Sequence, residues 1–174
     1  MPSNIEIKAR VTDPSAIRVR VESLCGSAAE ILEQEDFFFA APAARLKLRV
    51  FAADRGELIL YQRPNAAGPK LSEYQLAQTS SPGELKKIMS AVLPSVGTVR
   101  KRRRVYHWGN TRLHLDEVER LGNFIELEVV LGEGQPVSEG VLICEELMAR
   151  LGISPDQMVR QAYVDLLAEG GNID

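Results

Sequence analysis

Charged residues recur at every second position in several short segments of this chain, and their side chains are of types that bind phosphate and metal ions. The segment NIEIKAR (4–10) alternates polar with apolar residues. The segments RLKLRV (45–50) and FIELEVV (124–130) alternate in the same way, with basic and acidic residues respectively. Side chains two positions apart share one face of a β-strand. The sequence therefore predicts strands with one apolar face and one charged face.

The charged positions form two chemical sets. Arginine presents a planar fork of donors and lysine a point charge to phosphate oxygens, whereas carboxylates bind hard divalent cations. A triphosphate chelated by Mg²⁺ or Mn²⁺ would neutralise both sets, as in enzymes of phosphoryl transfer. The predicted phosphate-binding residues are Lys8, Lys47, Arg49, Arg63, Lys101 and Arg103, and the predicted metal ligands are Glu6, Asp116, Glu126 and Glu128.

Turn and cap residues delimit the elements that must position these side chains, and they indicate about eight strands. Short turns join most strands and few helices intervene, which favours an antiparallel sheet curled into a barrel. The predicted strands are 4–11, 29–40, 45–52, 56–64, 70–78, 96–108, 111–118 and 124–132. Helices are predicted from Pro14 to Gly26, from the Ser81 cap to Val92, from Ser138 to Leu151, and from the Ser154 cap through Met158, Ala162 and Leu166.

Two arrangements of the charged faces are compatible with this pattern. In the first, each strand packs its apolar face on helices and its charged face lies in water, as is usual for a single strand. In the second, the sheet closes with its charged faces inward and its apolar faces outward beneath the helices. Basic residues concentrate on some strands and glutamates on others, which favours the second arrangement for the whole set. Such an interior must hold water and a neutralising ligand.

Length and composition indicate the class of protein. The chain has 174 residues, so we expect a single domain over 1–174 with a tail that is frayed from about residue 169. Its apolar runs are shorter than the ~18 residues that cross a bilayer, so no membrane association and a cytoplasmic location are expected. Cys25 and Cys144 have no metal-type spacing and are expected to be reduced structural thiols.

The basic run VRKRRRVYHW (99–108) stands out in a chain whose net charge is −3. Lys101 and Arg103 share the charged face, whereas Arg100, Arg102 and Arg104 are expected to face outward and to pair with surface acids. Because the whole chain is acidic and a strand ribbon is a poor platform for stacking bases, nucleic acid is not an expected partner.

Several motifs, in order, give the chain a resemblance to a known family. They are NIEIKAR, RLKLR, YQRP, SEY, KRRRVY, HLDEVERLGNFIELEV and AYVDLL. The chain resembles the CYTH superfamily, also called triphosphate tunnel metalloenzymes, and within it the branch of CyaB-type class IV adenylyl cyclases. The resemblance implies an eight-stranded closed tunnel barrel, a Mg²⁺ or Mn²⁺ cofactor and a triphosphate substrate such as ATP. It covers most of the chain, and a homodimer remains open.

The family signature ExExK assigns roles to individual residues. The resemblance implies that the ten phosphate-binding and metal-ligating residues named above line the tunnel, and that Lys8, Glu126 and Glu128 are catalytic. Lys70 and Ser72 are further matches to the phosphate-binding set. The first Glu of the signature is Asn4 here, which keeps a carbonyl ligand but removes one negative charge. A metal bound there is expected to be held more weakly.

The roles of a few other residues on the charged faces are open to interpretation. His114 shares a face with Asp116 and is either a general base or, as is more usual, a hydrogen-bonded barrel histidine. Tyr61 and Tyr74 either contact substrate or pack. Asp36 is a candidate for a further tunnel acid.

Three functions remain open from the sequence. The first is a class IV cyclase, in which the ribose 3′-hydroxyl of ATP attacks the α-phosphorus and pyrophosphate leaves. The second is a triphosphatase acting on tripolyphosphate, thiamine triphosphate or a nucleoside triphosphate, in which water attacks the terminal phosphorus. The third is a binding module that holds polyphosphate or a nucleotide without turnover. The branch resemblance favours the cyclase.

Overall fold

The computed structural model describes residues 1–170 and contains eight strands and four α-helices. The strands are β1 (Ser3–Arg10), β2 (Glu30–Phe39), β3 (Arg45–Ala52), β4 (Arg55–Gln62), β5 (Lys70–Thr79), β6 (Ser95–Trp108), β7 (Thr111–Val118) and β8 (Gly122–Val130). The helices are α1 (Pro14–Cys25), α2 (Pro82–Val92), α3 (Val137–Leu151) and α4 (Tyr163–Glu169), with a 3₁₀ turn at Pro155–Gln157.

The strands form one closed barrel in the order β1-β5-β4-β3-β2-β6-β7-β8, and every neighbouring pair is antiparallel. The pairing of β1 with β8 closes it, with Lys8 opposite Glu126. Closure gives each strand two neighbours and leaves no sheet edge open. The predicted fold class, an antiparallel eight-stranded tunnel barrel with flanking helices, is confirmed.

The apolar faces of β1, β7 and β8 point outward and are buried under α1 and α3. The core here includes Ile5, Ile7, Leu113, Leu127 and Leu147, all at most 1% exposed. Because side chains alternate along a strand, burying these faces outside the barrel directs the charged faces inward. The second arrangement of the charged faces is therefore the one the fold adopts.

A second apolar cluster closes one end of the barrel. It comprises Phe38, Val99, Val118 and Phe124 from the strands, packed with Val159, Ala162, Tyr163, Val164 and Leu167 from the C-terminal segment. At the opposite end the lining residues Glu30, Leu76 and His107 are exposed. The tunnel thus has one closed end and one open end.

The C-terminal segment differs from the predicted helix. The expected cap forms, since the Ser154 amide donates to the Gln157 side chain at 2.9 Å, but only a 3₁₀ turn follows. Met158 pairs with Ala9, and the Val159 amide donates to the Lys8 carbonyl at 2.9 Å. These bonds hold residues 158 and 159 along β1, so 158–162 are not helical, and the α-helix begins only at Tyr163. Residues 171–174, within the predicted frayed tail, lie outside the described residues.

None of the helices within residues 1–170 combines the length and apolar character needed to cross a membrane.

Because α3 is buried against the barrel on one side only, substitution of two of its leucines by alanine is expected to change the stability of the protein by very different amounts. Leu147 is 0% exposed in the core and Leu142 is 65% exposed. Leu147→Ala is expected to lower the free energy of unfolding by about 2–5 kcal/mol through lost burial and a cavity. Leu142→Ala should change it by less than about 0.5 kcal/mol. Urea denaturation followed by circular dichroism measures both, and equal effects would contradict this packing of α3.

Candidate active site

The inward faces of the strands line a cavity of about 420 Å³. Its lining includes all six predicted phosphate-binding residues and three of the four predicted metal ligands. These are Lys8, Lys47, Arg49, Arg63, Lys101 and Arg103, together with Glu6, Glu126 and Glu128. The fourth predicted ligand, Asp116, is 2% exposed and lies against Arg103. The fold therefore brings both chemical sets into one enclosed space.

Arg103 is held by two carboxylates, Asp116 on the neighbouring strand β7 and Glu126 on β8. Its Nε and one terminal nitrogen donate to both oxygens of Asp116 at 2.7 and 2.6 Å, and the same terminal nitrogen donates to Glu126 at 2.6 Å. The pair forms because Arg103 and Asp116 are directly opposite in the register of β6 and β7. Burial acts to raise the pKa of Asp116, but Arg103 and Lys101 outweigh it and lower that pKa. Asp116 therefore remains a carboxylate at neutral pH.

Asp36 is the centre of the basic part of the cavity. Arg49 donates to its two oxygens at 2.7 and 2.8 Å, Lys47 donates at 3.2 Å, and Lys101 lies at 3.7 Å. Burial opposes ionisation, but these cations lower the pKa of Asp36 well below its ordinary value. The candidate tunnel acid is thus inside the tunnel, where it neutralises three of the predicted phosphate-binding side chains.

The remaining cations contact acids and backbone carbonyls. Lys8 lies 3.3 Å from Glu126 and Arg63 lies 3.3 Å from Glu6. Lys8 also donates to the Gln161 carbonyl at 3.3 Å. Arg63 and Lys70 both donate to the Arg160 carbonyl, at 3.5 and 3.4 Å. The extended segment before α4 therefore accepts hydrogen bonds from three cations of the site.

Tyr163 is a residue of the site that the sequence did not reveal. Its hydroxyl donates to Asp116 at 2.8 Å, and its ring lies 3.8 Å from the Lys8 amine and 5.1 Å from that of Lys101. The motif AYVDLL was predicted to be mid-helix, where the tyrosine would be one of several packing residues. Only the extended path of the preceding segment directs this ring into the barrel.

Three side chains form a group that could hold a metal ion. Ligand atoms of His114, Glu126 and Glu128 all lie within 4.8 Å of one another. The Nδ1 atom of His114 is buried and has no hydrogen-bond partner among the described residues, in contrast to the hydrogen-bonded histidine that was expected. The Asn4 Oδ1 atom, in the same cavity, is buried and unpartnered within residues 1–170 as well. Carboxylate oxygens and an imidazole nitrogen suit a divalent cation, so the residues present fit the metal that the resemblance implies.

The other two predicted metal ligands, Glu6 and Asp116, make ion pairs in this structure. Glu6 is paired with Arg63, and Asp116 has both oxygens occupied by Arg103 and Tyr163. Neither belongs to the three-residue group in the described part of the chain.

Two of the three outward arginines of β6, Arg100 and Arg102, pair with surface acids as expected. Arg100 lies 2.9 Å from Glu35, and Arg102 lies 3.4 Å from Glu33, both on the neighbouring strand β2. These pairs are on the surface of the barrel and make no contribution to the cavity.

The fold and the cavity define a class of protein: a closed antiparallel tunnel with a basic interior and a carboxylate group suited to a metal. The model of the CYTH domain family matches residues 3–163. The chain belongs to the CYTH domain family.

Similar proteins agree with this membership. A protein of Methanocaldococcus jannaschii, described as an adenylate cyclase candidate, is 25% identical over an alignment of 179 positions that covers 93% of this chain and 97% of that protein. The structure of the PH1012 protein of Pyrococcus horikoshii aligns with this one over 94% of this chain and 98% of the PH1012 chain, with 25% identity and a TM-score of 0.81. The HpAC1 protein of Hippeastrum, described as an adenylyl cyclase candidate with a dominant triphosphatase activity, matches 98% of this chain and 97% of its own, with 21% identity and a TM-score of 0.63.

The role of Asp36 predicts that its loss destabilises the protein. Asp36→Asn leaves Arg49, Lys47 and Lys101 without their shared counter-charge in a buried site, so we expect the free energy of unfolding to fall by about 3 kcal/mol or more at pH 7. Glu35→Gln is the matched control, because Glu35 is the next residue and pairs with the half-exposed Arg100. It should cost less than about 1 kcal/mol.

The pH dependence gives an independent check on the same variant. A carboxyl whose folded pKa is lowered stabilises the protein above its ordinary pKa of 3.8 and loses that contribution as pH falls through the folded value. The difference between wild type and Asp36→Asn should therefore be constant near neutral pH and shrink below about pH 4. A difference that grows with acidification would show that Asp36 is not the counter-charge.

Proposed function

We propose that this chain is a divalent-metal-dependent enzyme that acts on a triphosphate held in its tunnel, and that it converts ATP to cyclic AMP and pyrophosphate. The single observation that carries the proposal is the difference between the closed end of the cavity and the rest of it. Three lysines lie against aromatic rings of the apolar cluster that closes one end. The group that could hold a metal begins at Glu126, 3.3 Å from Lys8, and includes Glu128, two residues further along β8.

Three lysines lie against aromatic rings of the closed end. Lys8 is 3.8 Å from the Tyr163 ring, Lys101 is 5.1 Å from the same ring, and Lys47 is 5.5 Å from that of Phe38. On β8, by contrast, Glu126 and Glu128 follow the closing residue Phe124 in steps of two residues, roughly 6.6 Å each, toward the open end. The terminal phosphates of a triphosphate would be attracted to the lysines.

A nucleoside is too bulky to enter where Phe38, Phe124 and Tyr163 pack together. It would remain toward the open end, where apolar side chains of Leu32 and Phe51 also line the cavity. The triphosphate then enters with its γ-phosphate first, and its α-phosphate lies nearest to Glu128, the acid further from the closed end on β8. This orientation favours a reaction at the α-phosphorus, which is the site of attack in a cyclase.

The residues have distinct roles in that reaction. Glu126 and Glu128 would hold Mg²⁺ or Mn²⁺, with Glu6 and Asp116 as further predicted ligands. Such an ion, when bound, lowers the pKa of the attacking hydroxyl and neutralises phosphate oxygens. Lys8, positioned by Glu126, donates to the phosphate chain, and so do the other cations of the predicted set.

The proposed reaction is an intramolecular displacement at the α-phosphorus of ATP. A bond forms between the ribose 3′-oxygen and the α-phosphorus, and the bond from that phosphorus to the oxygen bridging to the β-phosphate breaks. The hydroxyl proton is lost to solvent or a nearby base, and pyrophosphate carries away the displaced electron pair. Buried cations stabilise the charge that develops on the leaving group.

A triphosphatase is the second candidate, and a specific observation favours it. The Hippeastrum protein, which shares this fold over most of both chains, is described as having a dominant triphosphatase activity. The same cavity would serve if a triphosphate without a bulky group bound with its terminal phosphorus beside Glu126 and Glu128. Water would then replace the ribose hydroxyl as the attacking group.

Product analysis tests the reaction. The protein is incubated separately with ATP, thiamine triphosphate and tripolyphosphate, each with Mg²⁺ or Mn²⁺, and the products are separated by chromatography. Cyclic AMP and pyrophosphate from ATP are expected. Phosphate without cyclic AMP would reject the cyclase in favour of the triphosphatase, and tight binding without any product would indicate a binding module.

The Glu128→Gln variant tests the site in the same assay. The substitution keeps the shape of the side chain but removes a charge from the metal group, so turnover is expected to fall at least about 100-fold with the fold intact by circular dichroism. Glu117→Gln is the control, since Glu117 is an exposed carboxylate on the outward face of β7. Wild-type turnover in Glu128→Gln would contradict the assignment.

Triphosphate binding should also take up protons. Burial and the neighbouring Arg49 lower the pKa of Lys47 to about 8, and burial lowers the pKa of Lys70 to about 8. Near pH 8 these amines are only partly protonated, and a bound polyanion stabilises their charged form, so protons enter on binding and affinity falls as pH rises from 7 to 9.

Calorimetry in buffers of different ionisation enthalpy measures this uptake with tripolyphosphate. Lys47→Arg keeps the charge but cannot titrate, and it should reduce the uptake at pH 8 by roughly half a proton. Lys87→Arg, on the exposed face of α2, is the control and should keep the wild-type value. Proton release on binding would contradict the assignment of these lysines to the phosphate site.

A further inference from the structure

We propose that His114 is a metal ligand, and that its Nδ1 atom joins Glu128 and Glu126 in a mixed nitrogen–oxygen site that prefers a first-row transition cation such as Mn²⁺ to Mg²⁺. The part this site plays in turnover rests on the proposed function. The binding of the ion by the protein alone does not.

The positions of the three side chains follow from the register of the strands. His114 on β7 is directly opposite Glu126 on β8, and Glu128 is the next inward residue of β8. All three therefore lie on the tunnel face, one step apart. The pairing also places Lys8 on the far side of Glu126, on β1.

Distances between the ligand atoms suit a bound cation. His114 Nδ1 is 3.6 Å from Glu126 Oε2 and 3.8 Å from Glu128 Oε1. Six ligands at about 2.1 Å from an ion are about 3.0 Å apart when adjacent and about 4.2 Å apart when opposite. The observed separations lie between these limits. They are also too long for a direct hydrogen bond from the imidazole to either carboxylate.

The two carboxylates of the group differ in the contacts that they already make. Glu126 Oε2 accepts from Arg103 at 2.6 Å and its Oε1 lies 3.3 Å from Lys8, so an ion would share this carboxylate with those two cations. Glu128 Oε2 accepts from Arg112 at 2.9 Å. The other oxygen of Glu128 therefore faces His114. The histidine is 4% exposed, and its Nδ1 has no partner in the described chain, which is costly for a buried polar atom unless a ligand satisfies it.

The imidazole nitrogen of His114 affects which metal ions the site prefers. Mg²⁺ is a hard ion that is bound through oxygen and retains its waters, whereas imidazole is a ligand of first-row transition metals, most strongly of the later ones. Mn²⁺, although it also binds oxygen well, accepts an imidazole nitrogen more readily than Mg²⁺ does. The cavity also contains the neutral Asn4, whose Oδ1 is buried and unpartnered within residues 1–170. Replacement of a carboxylate by an imidazole weakens the binding of Mg²⁺ more than that of Mn²⁺, so we expect the site to prefer Mn²⁺.

Direct spectroscopy of bound Mn²⁺ tests the inference without any substrate. The chain has two histidines, His114 and His107, so a pulsed electron paramagnetic resonance signal from a directly bound imidazole ¹⁴N has only two sources. We expect this signal in the wild type, its retention in His107→Gln and its loss in His114→Gln. Incorporation of ¹⁵N-histidine into the wild type should convert it to a ¹⁵N signal, which needs no variant to fold.

Affinities give the second readout. Calorimetric titrations of Mn²⁺ and Mg²⁺ into the protein alone should show that His114→Gln weakens Mn²⁺ binding at least about tenfold and Mg²⁺ binding much less. His107→Gln should leave both unchanged. Absence of nitrogen coupling in the wild type, its loss in His107→Gln, or an unaltered preference between the two metals in His114→Gln would each overturn the proposal.

The inference and the proposed function can fail separately. Nitrogen coupling to His114 in a protein that converts no triphosphate would support the metal site and reject the enzyme. Turnover of a triphosphate without such coupling would support the enzyme and reject His114 as a ligand.

Discussion

The structure depends on neutralising charges that are buried inside a closed barrel. An unpaired charge in such a place costs several kcal/mol, so each buried cation needs a partner. The register of the strands supplies these partners directly: Arg103 is opposite Asp116, Arg49 is opposite Asp36, and Lys8 is opposite Glu126. Slipping one strand by a single residue would turn its charges outward and its apolar face inward. The strand register that closes the barrel is therefore also the register that places each of these buried cations opposite an acid.

The strength of that pairing differs between the cations. Arg103 and Arg49 bind carboxylates through two hydrogen bonds each, which fixes their guanidinium planes. Lys8, Arg63 and Lys70 also donate to backbone carbonyls of residues 160 and 161, which are weaker partners. A polyanion entering the tunnel would meet arginines that are already oriented and other cations whose bonds are easily exchanged. Such preorganisation lowers the cost of ordering the site on binding.

Much of the barrel could be predicted from local patterns. The predicted strands agree with the observed ones to within two residues at each end, because alternation and turn residues act over a few positions. Where the last helix begins could not be predicted in this way. The cap at Ser154 is a valid helix signal, but bonds to β1, including that between Val159 and the Lys8 carbonyl, hold residues 158 and 159 along that strand. Tyr163 reaches Asp116 only for that reason.

The sequence by itself determined which side chains share a face of each strand, and hence that Lys47 and Arg49, or Glu126 and Glu128, lie together. The period of two that places them is a property of the extended backbone and needs no distant contact. Only the tertiary structure decided which face was enclosed and which charges met: that Asp36 neutralises Arg49, that Asp116 is occupied by Arg103, and that His114 adjoins Glu128. Those contacts depend on the order and register of strands far apart in the chain, which no local pattern encodes.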